Sequence, residues 1–321
     1  MATQQREKQD LRFVIIGAGI AGILSAIKLR EAGYRDITIY EKADRIGGTW
    51  RENTYPGLTC DVPSHSYTYT FEPNPDWSHR YPPGDEIQAY FEGVVDKYGV
   101  RELIRFDEEI TRAEFVDGRW RLERKSGEKD EADFVIAATG VLHHPSHPDI
   151  EGLDDFEGAL FHTARWDYAY TGGDRAGSPM TNLADERVGI IGTGATAVQC
   201  IPPLARDAAE LYVFQRTPSS IDVRNNHPLD PVEYADLEPG WQRRWRHNFA
   251  TLQMAGFAEE DLVKDGWTDI AQRIRARAIQ ELEKPGAEFT PELMAKAYED
   301  CDDEKMEEIR ARVDEIVEDP A

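Results

Sequence analysis

Gly17, Gly19 and Gly22, in the run FVIIGAGIAGILSAI, make a complete GxGxxG. In such a turn the first glycine bends the chain and the second lets backbone approach a pyrophosphate. The third lets helix and strand pack closely, and the helix N-terminus points N–H groups at the anion. Glu41, 22 residues after Gly19, stands where the following strand ends and a carboxylate can bind both hydroxyls of an adenosine ribose. A second set, Gly192, Gly194 and Ala197, reads GxGxxA, and the same count of 22 from Gly194 reaches Arg216, followed by Thr217. An acid there would repel a 2′-phosphate, whereas a guanidinium pairs with it bidentately and a threonine hydroxyl adds a hydrogen bond. Structural glycine turns and a solvated arginine are the plain alternatives. The nucleotide reading expects FAD at the first turn and NADPH at the second, with hydride transfer from NADPH to the flavin.

Between these turns lie two further stretches dense in specific residues. GGTWRENTYPGLTCD, residues 47–61, follows neither a helical nor a strand period. Its Gly47, Gly48, Trp50, Tyr55, Pro56, Gly57 and Asp61 match every defined position of [AG]GxWxxxx[FY]P[GM]xxxD. FEGALFHTARWD supplies Phe156, Gly158, His162, Trp166 and Asp167 for FxGxxxHxxxW[PD]. With both patterns in this order around the glycine turns, the chain resembles the type I Baeyer-Villiger monooxygenases, FAD- and NADPH-dependent flavoproteins, over essentially its whole length.

The resemblance implies that FAD is held by the turn containing Gly17, Gly19, Ala21 and Gly22, and by Glu41. Gly47, Gly48, Thr49, Trp50, Asp61, Tyr67 and the backbone near Ile110 would complete that site. It assigns NADPH to Gly192, Thr193, Gly194, Ala195, Thr196, Gln199, Arg216 and Thr217. His162 and Trp166 would couple domains during cofactor movement, although His162 reads equally well as a structural histidine. Trp50 reads as flavin wall or as core, and Asp61 as support for a catalytic arginine or as a solvated carboxylate. His143 and His144 belong to a linker, and no metal is expected. The implied reaction is attack of a C4a-peroxyflavin on a ketone, giving an ester or lactone. Its partners are O2 and a small ketone, and a cationic arginine stabilises peroxide and oxyanion. The family draws that arginine from a segment beyond the acidic helices, so it is expected to be absent from this chain. A truncated or short form that keeps its nucleotide contacts and turns over poorly is therefore expected. Two other readings stay open, a nitrogen- or sulfur-oxidising flavin monooxygenase and a non-catalytic FAD/NADPH-binding fragment.

The elements that must position these residues are of the α/β class. The pattern predicts two dinucleotide-binding, Rossmann-like domains with parallel sheets, a β-meander returning to the first sheet, and a helical C-terminal segment. Boundaries fall at 1–145 for the FAD part, 146–220 for the NADPH part and 221–321 for a helical insertion. LRFVIIGAGIAGILSAIKLREAGYRDITIYEKAD is strand, turn, helix closed near Gly33, and strand. Asp117-Gly118 marks a turn, and 134–138 a fully apolar strand. HHPSHPDIEGLDDFEG is the linker. The second unit shows only two convincing strands, near 188–192 and 211–215, so its sheet is expected to be incomplete. Thr290-Pro291 predicts a helix start, and Met306, Ile309, Val313 and Ile316 fall on one face of the last helix.

With 61 acidic against 37 basic residues the formal charge is -24, which argues against nucleic acid or an anionic membrane as partner. The three scattered cysteines, Cys60, Cys200 and Cys301, fit a reducing compartment, and a cytoplasmic protein is expected. The apolar run at 13–27 lacks a signal-peptide cleavage site, and nothing else approaches a membrane span. Oligomeric state is left open.

Overall fold

The computed structural model describes residues 7–217, 220–230, 232, 238–254 and 256–318. Their contacts divide the chain into two units. The first comprises Met1–Leu58, Pro83–Val188 and Gln199–Tyr212; the second comprises Thr59–Pro82, Gly189–Val198 and Val213–Ala321.

In the first unit the apolar strand β1 (Arg12–Ile16) leads through the glycine turn into α1 (Ile20–Glu31) and β2 (Asp36–Tyr40). Gly33 ends the helical stretch with φ +95°, which an L side chain rarely adopts. After a single helical turn α2 (Thr49–Glu52) comes α3 (Gly84–Lys97), then the short β3 (Ile104–Arg105). The meander follows as β4 (Ile110–Val116), β5 (Arg119–Arg124) and β6 (Lys129–Ala132), and β7 (Phe134–Ala137) returns to β1. The parallel sheet has the order β3-β2-β1-β7, with Val14 opposite both Thr38 and Val135.

The meander is a separate antiparallel sheet, β4-β5-β6, and only β7 rejoins the parallel one. Its hairpin turns at Asp117 and Gly118, φ 54° and 82°, the doubly positive geometry that an Asp-Gly pair favours. Val14, Tyr40, Leu122 and Ala132 form one buried cluster, so the two sheets share a core. Arg12 ties them further, donating from Nε to Asp130 Oδ1 at 3.2 Å while Tyr40 Oη donates to Asp130 Oδ2 at 2.8 Å. Burial alone would raise the Asp130 pKa, but these donors hold it below the usual carboxylate value.

Further along are α4 (Tyr168–Thr171), β8 (Arg187–Ile191), α5 (Ala195–Asp207) and β9 (Glu210–Phe214). Strands β8 and β9 pair only with each other among the described residues. Ile191, Val213 and Phe214 on them remain largely exposed. These two strands fall where the sequence places them, near 188–192 and 211–215.

The helices of the second unit are α6 (Trp241–Gln253), α7 (Gly266–Leu282) and α8 (Pro291–Ile316). Thr290 caps α8, its Oγ1 accepting from Leu293 N at 3.1 Å, with Pro291 in the first turn. Ile274 and Ala278 of α7 pack with Ala297 and Cys301 of α8. The apolar stripe of α8 is only partly used, for Ile309 is buried while Val313 and Ile316 are exposed. Among the described residues no helix is long and apolar enough to cross a membrane.

Candidate functional site

A cavity of about 500 Å³ opens in the first unit over the ends of β1, β2 and β7. Gly17, Gly19, Ala21, Glu41, Gly47, Gly48, Thr49 and Ile110 all line it. Thus most residues assigned to the first nucleotide converge on one hollow from four separate stretches of chain.

The glycines explain how backbone forms its floor. Gly17 has φ +103°, and a Cβ there would lie 2.5 Å from the carbonyl oxygen of Ala138. A Cβ on Gly22 would lie 1.9 Å from the carbonyl oxygen of Gly17, so no side chain fits where α1 crosses the turn. Gly48 faces Gly19 so closely that a Cβ on Gly48 would sit 3.2 Å from the Gly19 Cα. Gly47 N donates to Ala18 O at 3.1 Å, which pins the 47–61 loop onto the glycine turn.

Glu41 is buried, 5% exposed, and its carboxylate accepts from Ala18 N at 2.8 Å and Ala43 N at 3.0 Å. Two backbone donors hold the acid at the strand end, facing the cavity. Trp50 is buried and packs towards the start of α3, where a Cβ on Gly84 would lie 3.4 Å from its ring; it is not among the cavity-lining residues. His143 and His144 stand at the cavity edge with ring centroids 4.1 Å apart. Among the described residues no His, Cys, Asp and Glu group has the arrangement of a metal site.

The Tyr-Pro-Gly part of the loop docks within the same unit. Tyr55 Oη donates to Gln199 Oε1 at 2.9 Å, and at Gly57, φ +83°, a Cβ would meet the Gln199 carbonyl oxygen at 2.3 Å. Gln199, assigned in sequence to NADPH, therefore anchors the Tyr-Pro-Gly corner against α5. The segment around His162 is stitched to the loop as well. Arg165 pairs with Glu52, Tyr168 Oη donates to Thr54 O at 2.6 Å, and Arg175 Nη2 donates to Trp50 O at 3.2 Å. None of Arg165, Tyr168 or Arg175 was singled out from sequence; their spacing from the motif carries no period that would mark them.

His162 and Trp166 do local work within that segment. His162 Nδ1 accepts from Ala164 N at 3.1 Å, and Trp166 Nε1 donates to Thr171 Oγ1 at 3.2 Å. Burial, then the neighbouring His147 and Arg165, lower the His162 pKa, which keeps the ring neutral as an acceptor requires.

The second glycine turn is more open. Gly192 has φ +101° and donates to Phe214 O at 2.8 Å, while among the described residues nothing lies within 4 Å of a Cβ on Gly192 or Gly194. Thr193 Oγ1 reaches Thr217 O at 3.5 Å. Ala195 and Thr196 begin α5, and Arg216 and Thr217 follow β9 on the surface.

Asp61 and Tyr67 belong to the second unit. Tyr67 closes a short turn, its N donating to Ser64 O at 2.9 Å. The Asp61 side chain is 58% exposed, and a guanidinium does stand beside it: Arg224 Nη2 lies 4.0 Å from Asp61 Oδ1. The same nitrogen donates to the Asp61 carbonyl oxygen, which also accepts from Trp267 Nε1 at 3.1 Å. The guanidinium lies over the Tyr81 ring, 4.1 Å from its centroid. Cys60, next to Asp61, is buried with its thiol pushed up to about 11, and burial pushes Cys200 up to about 12, so neither is a thiolate nucleophile.

A family model of NAD(P)-binding Rossmann-like domains matches residues 15–81. Neopentalenolactone D synthase of Streptomyces avermitilis is 45% identical over 97% of this chain and 52% of its own length. Baeyer-Villiger monooxygenase ATR8 of Stachybotrys chlorohalonatus is 41% identical over 96% of this chain and 49% of its own. The chain thus spans about half the length of the curated relatives it matches. Among solved structures, a polycyclic ketone monooxygenase from Thermothelomyces thermophila superposes with a TM-score of 0.82 at 36% identity, covering 97% of this chain and 52% of that one. OTEMO, solved in complex with FAD and NADP, gives a TM-score of 0.71 at 30% identity over 98% of this chain and 59% of that one.

Proposed function

Because this chain is a relative of Baeyer-Villiger monooxygenases over about 97% of its length, we propose that it carries the nucleotide sites of an NADPH-dependent flavin monooxygenase. The reaction places one oxygen atom of O2 beside a ketone carbonyl, giving an ester or lactone. FAD belongs in the cavity of the first unit, NADPH at the second glycine turn with Arg216 and Thr217. One observation carries the reading: the cavity has a floor of side-chain-free glycine backbone and a buried acid at the end of β2, the two features a dinucleotide demands.

The cavity residues fit FAD. Gly17 and Gly19 leave backbone open to a diphosphate, Gly22 lets α1 pack against the turn, and Glu41 offers a fixed carboxylate to ribose hydroxyls. Gly47 and Gly48 bring the loop backbone close, and Ile110 begins the strand that edges the hollow. Bound there, FAD would supply hydride acceptance from NADPH and activation of O2. Asp61 keeps the part of supporting a catalytic arginine; in this chain the guanidinium beside it is that of Arg224, in an exposed pair. The three cysteines are free and buried, which supports a reducing, cytoplasmic setting.

The exposed faces of β8 and β9 favour a second reading, a FAD- and NADPH-binding chain that does not sustain turnover. A nitrogen- or sulfur-oxidising monooxygenase remains the alternative chemistry. Purified chain should carry yellow flavin or take up FAD, and NADPH should bleach it anaerobically. Ketone-dependent oxygen consumption with ester or lactone product establishes the first reading. Flavin uptake without product establishes the second, amine or sulfide oxidation without lactone the third, and absence of flavin uptake overturns all three.

A further inference from the structure

Arg51 follows the fingerprint tryptophan and lies in α2, where the loop crosses the glycine turn. The motif leaves this position undefined, and sequence reading passed over it. In the structure it lines the cavity, with its side chain 12% exposed. A guanidinium has five N–H donors and stays charged at any ordinary pH. Among the described residues only Nη2 meets an acceptor, Glu52 Oε1 at 2.6 Å, with Glu41 Oε1 further off at 3.8 Å. Nε is buried and has no hydrogen-bond partner among the described residues. An unpaired donor of this kind is costly unless something else supplies the acceptor.

Charge points to what that acceptor is. Glu41, Glu52, Glu108 and Glu109 also line the cavity, while its other cationic lining residue, Lys42, is exposed. Glu108 and Glu109 are paired outward, to Arg124 at 2.8 Å and to Lys125 at 3.3 Å. Glu52 is shared with Arg165, so it does not use up the charge of Arg51. A dinucleotide would bring a diphosphate dianion into this acid-lined hollow, and Arg51 is the mostly enclosed cation that faces it.

Resting on the FAD reading above, we infer that Arg51 binds the diphosphate of FAD in this chain. Glu52, held in turn by Arg165, is the positioning residue that aims it. The guanidinium keeps Nη2 on Glu52 and offers its remaining donors to phosphoryl oxygens, as Arg does wherever planar anions are recognised.

The test is a titration of flavin-free chain with FAD, followed by flavin fluorescence, for the wild type, R51Q and R51K, together with melting curves recorded without flavin. Arg51→Gln should weaken FAD binding by about 10- to 100-fold, while the flavin-free chain melts within about 3 °C of the wild type. Arg51→Lys keeps the charge and loses the fork, and should weaken binding by roughly 3- to 10-fold. R51Q binding FAD within twofold of the wild type overturns the inference and leaves the flavin reading intact. Should R51Q fail to fold, R51K decides, and unchanged FAD affinity in R51K overturns it. A wild-type chain that takes up no FAD overturns the flavin reading and this assignment together.

Discussion

His65 shows how one buried side chain makes stability depend on pH. It lies four residues after Asp61, 4% exposed, with its ring edge-on to Trp241 at 4.8 Å and to Trp245 at 5.7 Å. Burial lowers its pKa to about 4, only partly offset by a hydrogen bond with the Asn74 backbone. The unfolded chain, with a histidine pKa near 6.5, takes up the proton first as pH falls. The contribution is therefore fully present above about pH 6.5 and is lost as pH falls towards 4, by roughly 3 kcal/mol in all. Urea unfolding at pH 7.0 and 4.5 should show this slope in the wild type and a shallower one in His65→Phe, whose ring cannot titrate. Equal slopes in the two proteins would refute the assignment. The fingerprint residues show a different economy at the same scale. Tyr55 and Gly57 serve as contacts to Gln199, Trp50 as core, and Glu41 as a carboxylate fixed by backbone donors. A motif can announce that such residues matter without saying which of them touch a ligand.

At the scale of elements, what local chemistry determines was legible in the sequence. The first strand-helix-strand unit, the Asp117-Gly118 hairpin and the Thr290 cap each depend on residues within a few positions of one another, and each stands where expected. What depends on distant partners was not legible. The meander forms its own sheet and joins the first through a shared core around Leu122 and Ala132. The residues that stitch the fingerprint loop, Arg165, Tyr168 and Arg175, lie more than a hundred positions from it, where no period or cap signals them. Helix α3 offers a test of local propensity alone. Gly93 is exposed on that helix, and among the described residues nothing lies within 4 Å of a Cβ placed there. Gly93→Ala should stabilise the protein by about 0.5–1 kcal/mol through lost unfolded-state entropy. The urea midpoint should rise with the slope unchanged, and a midpoint that stays or falls would show that the helix surface is not free. Gly22 is the opposite case, since its missing Cβ is replaced by the Gly17 carbonyl at 1.9 Å.

The molecule as a whole carries a formal charge of -24, and both proposed cofactors are anions. Arg51 and the glycine turn act at contact, inside a cavity where salt screens little, so their effect belongs mainly to the dissociation rate. The summed field of the surface acts earlier, on the approach, and it repels. At 10 mM ionic strength that field reaches about 30 Å, and at 150 mM about 8 Å. Association of FAD with flavin-free chain should therefore accelerate by roughly 3- to 10-fold between those conditions, the reverse of what a basic, anion-steering surface gives. Stopped-flow quenching of flavin fluorescence measures it directly. A rate that falls as salt rises would mean that local positive potential at the cavity mouth, with Lys42 exposed there, outweighs the charge of the whole chain. The same measurement on R51Q should show the same salt dependence of association and a faster dissociation, which separates the field of the molecule from the contact made by one residue.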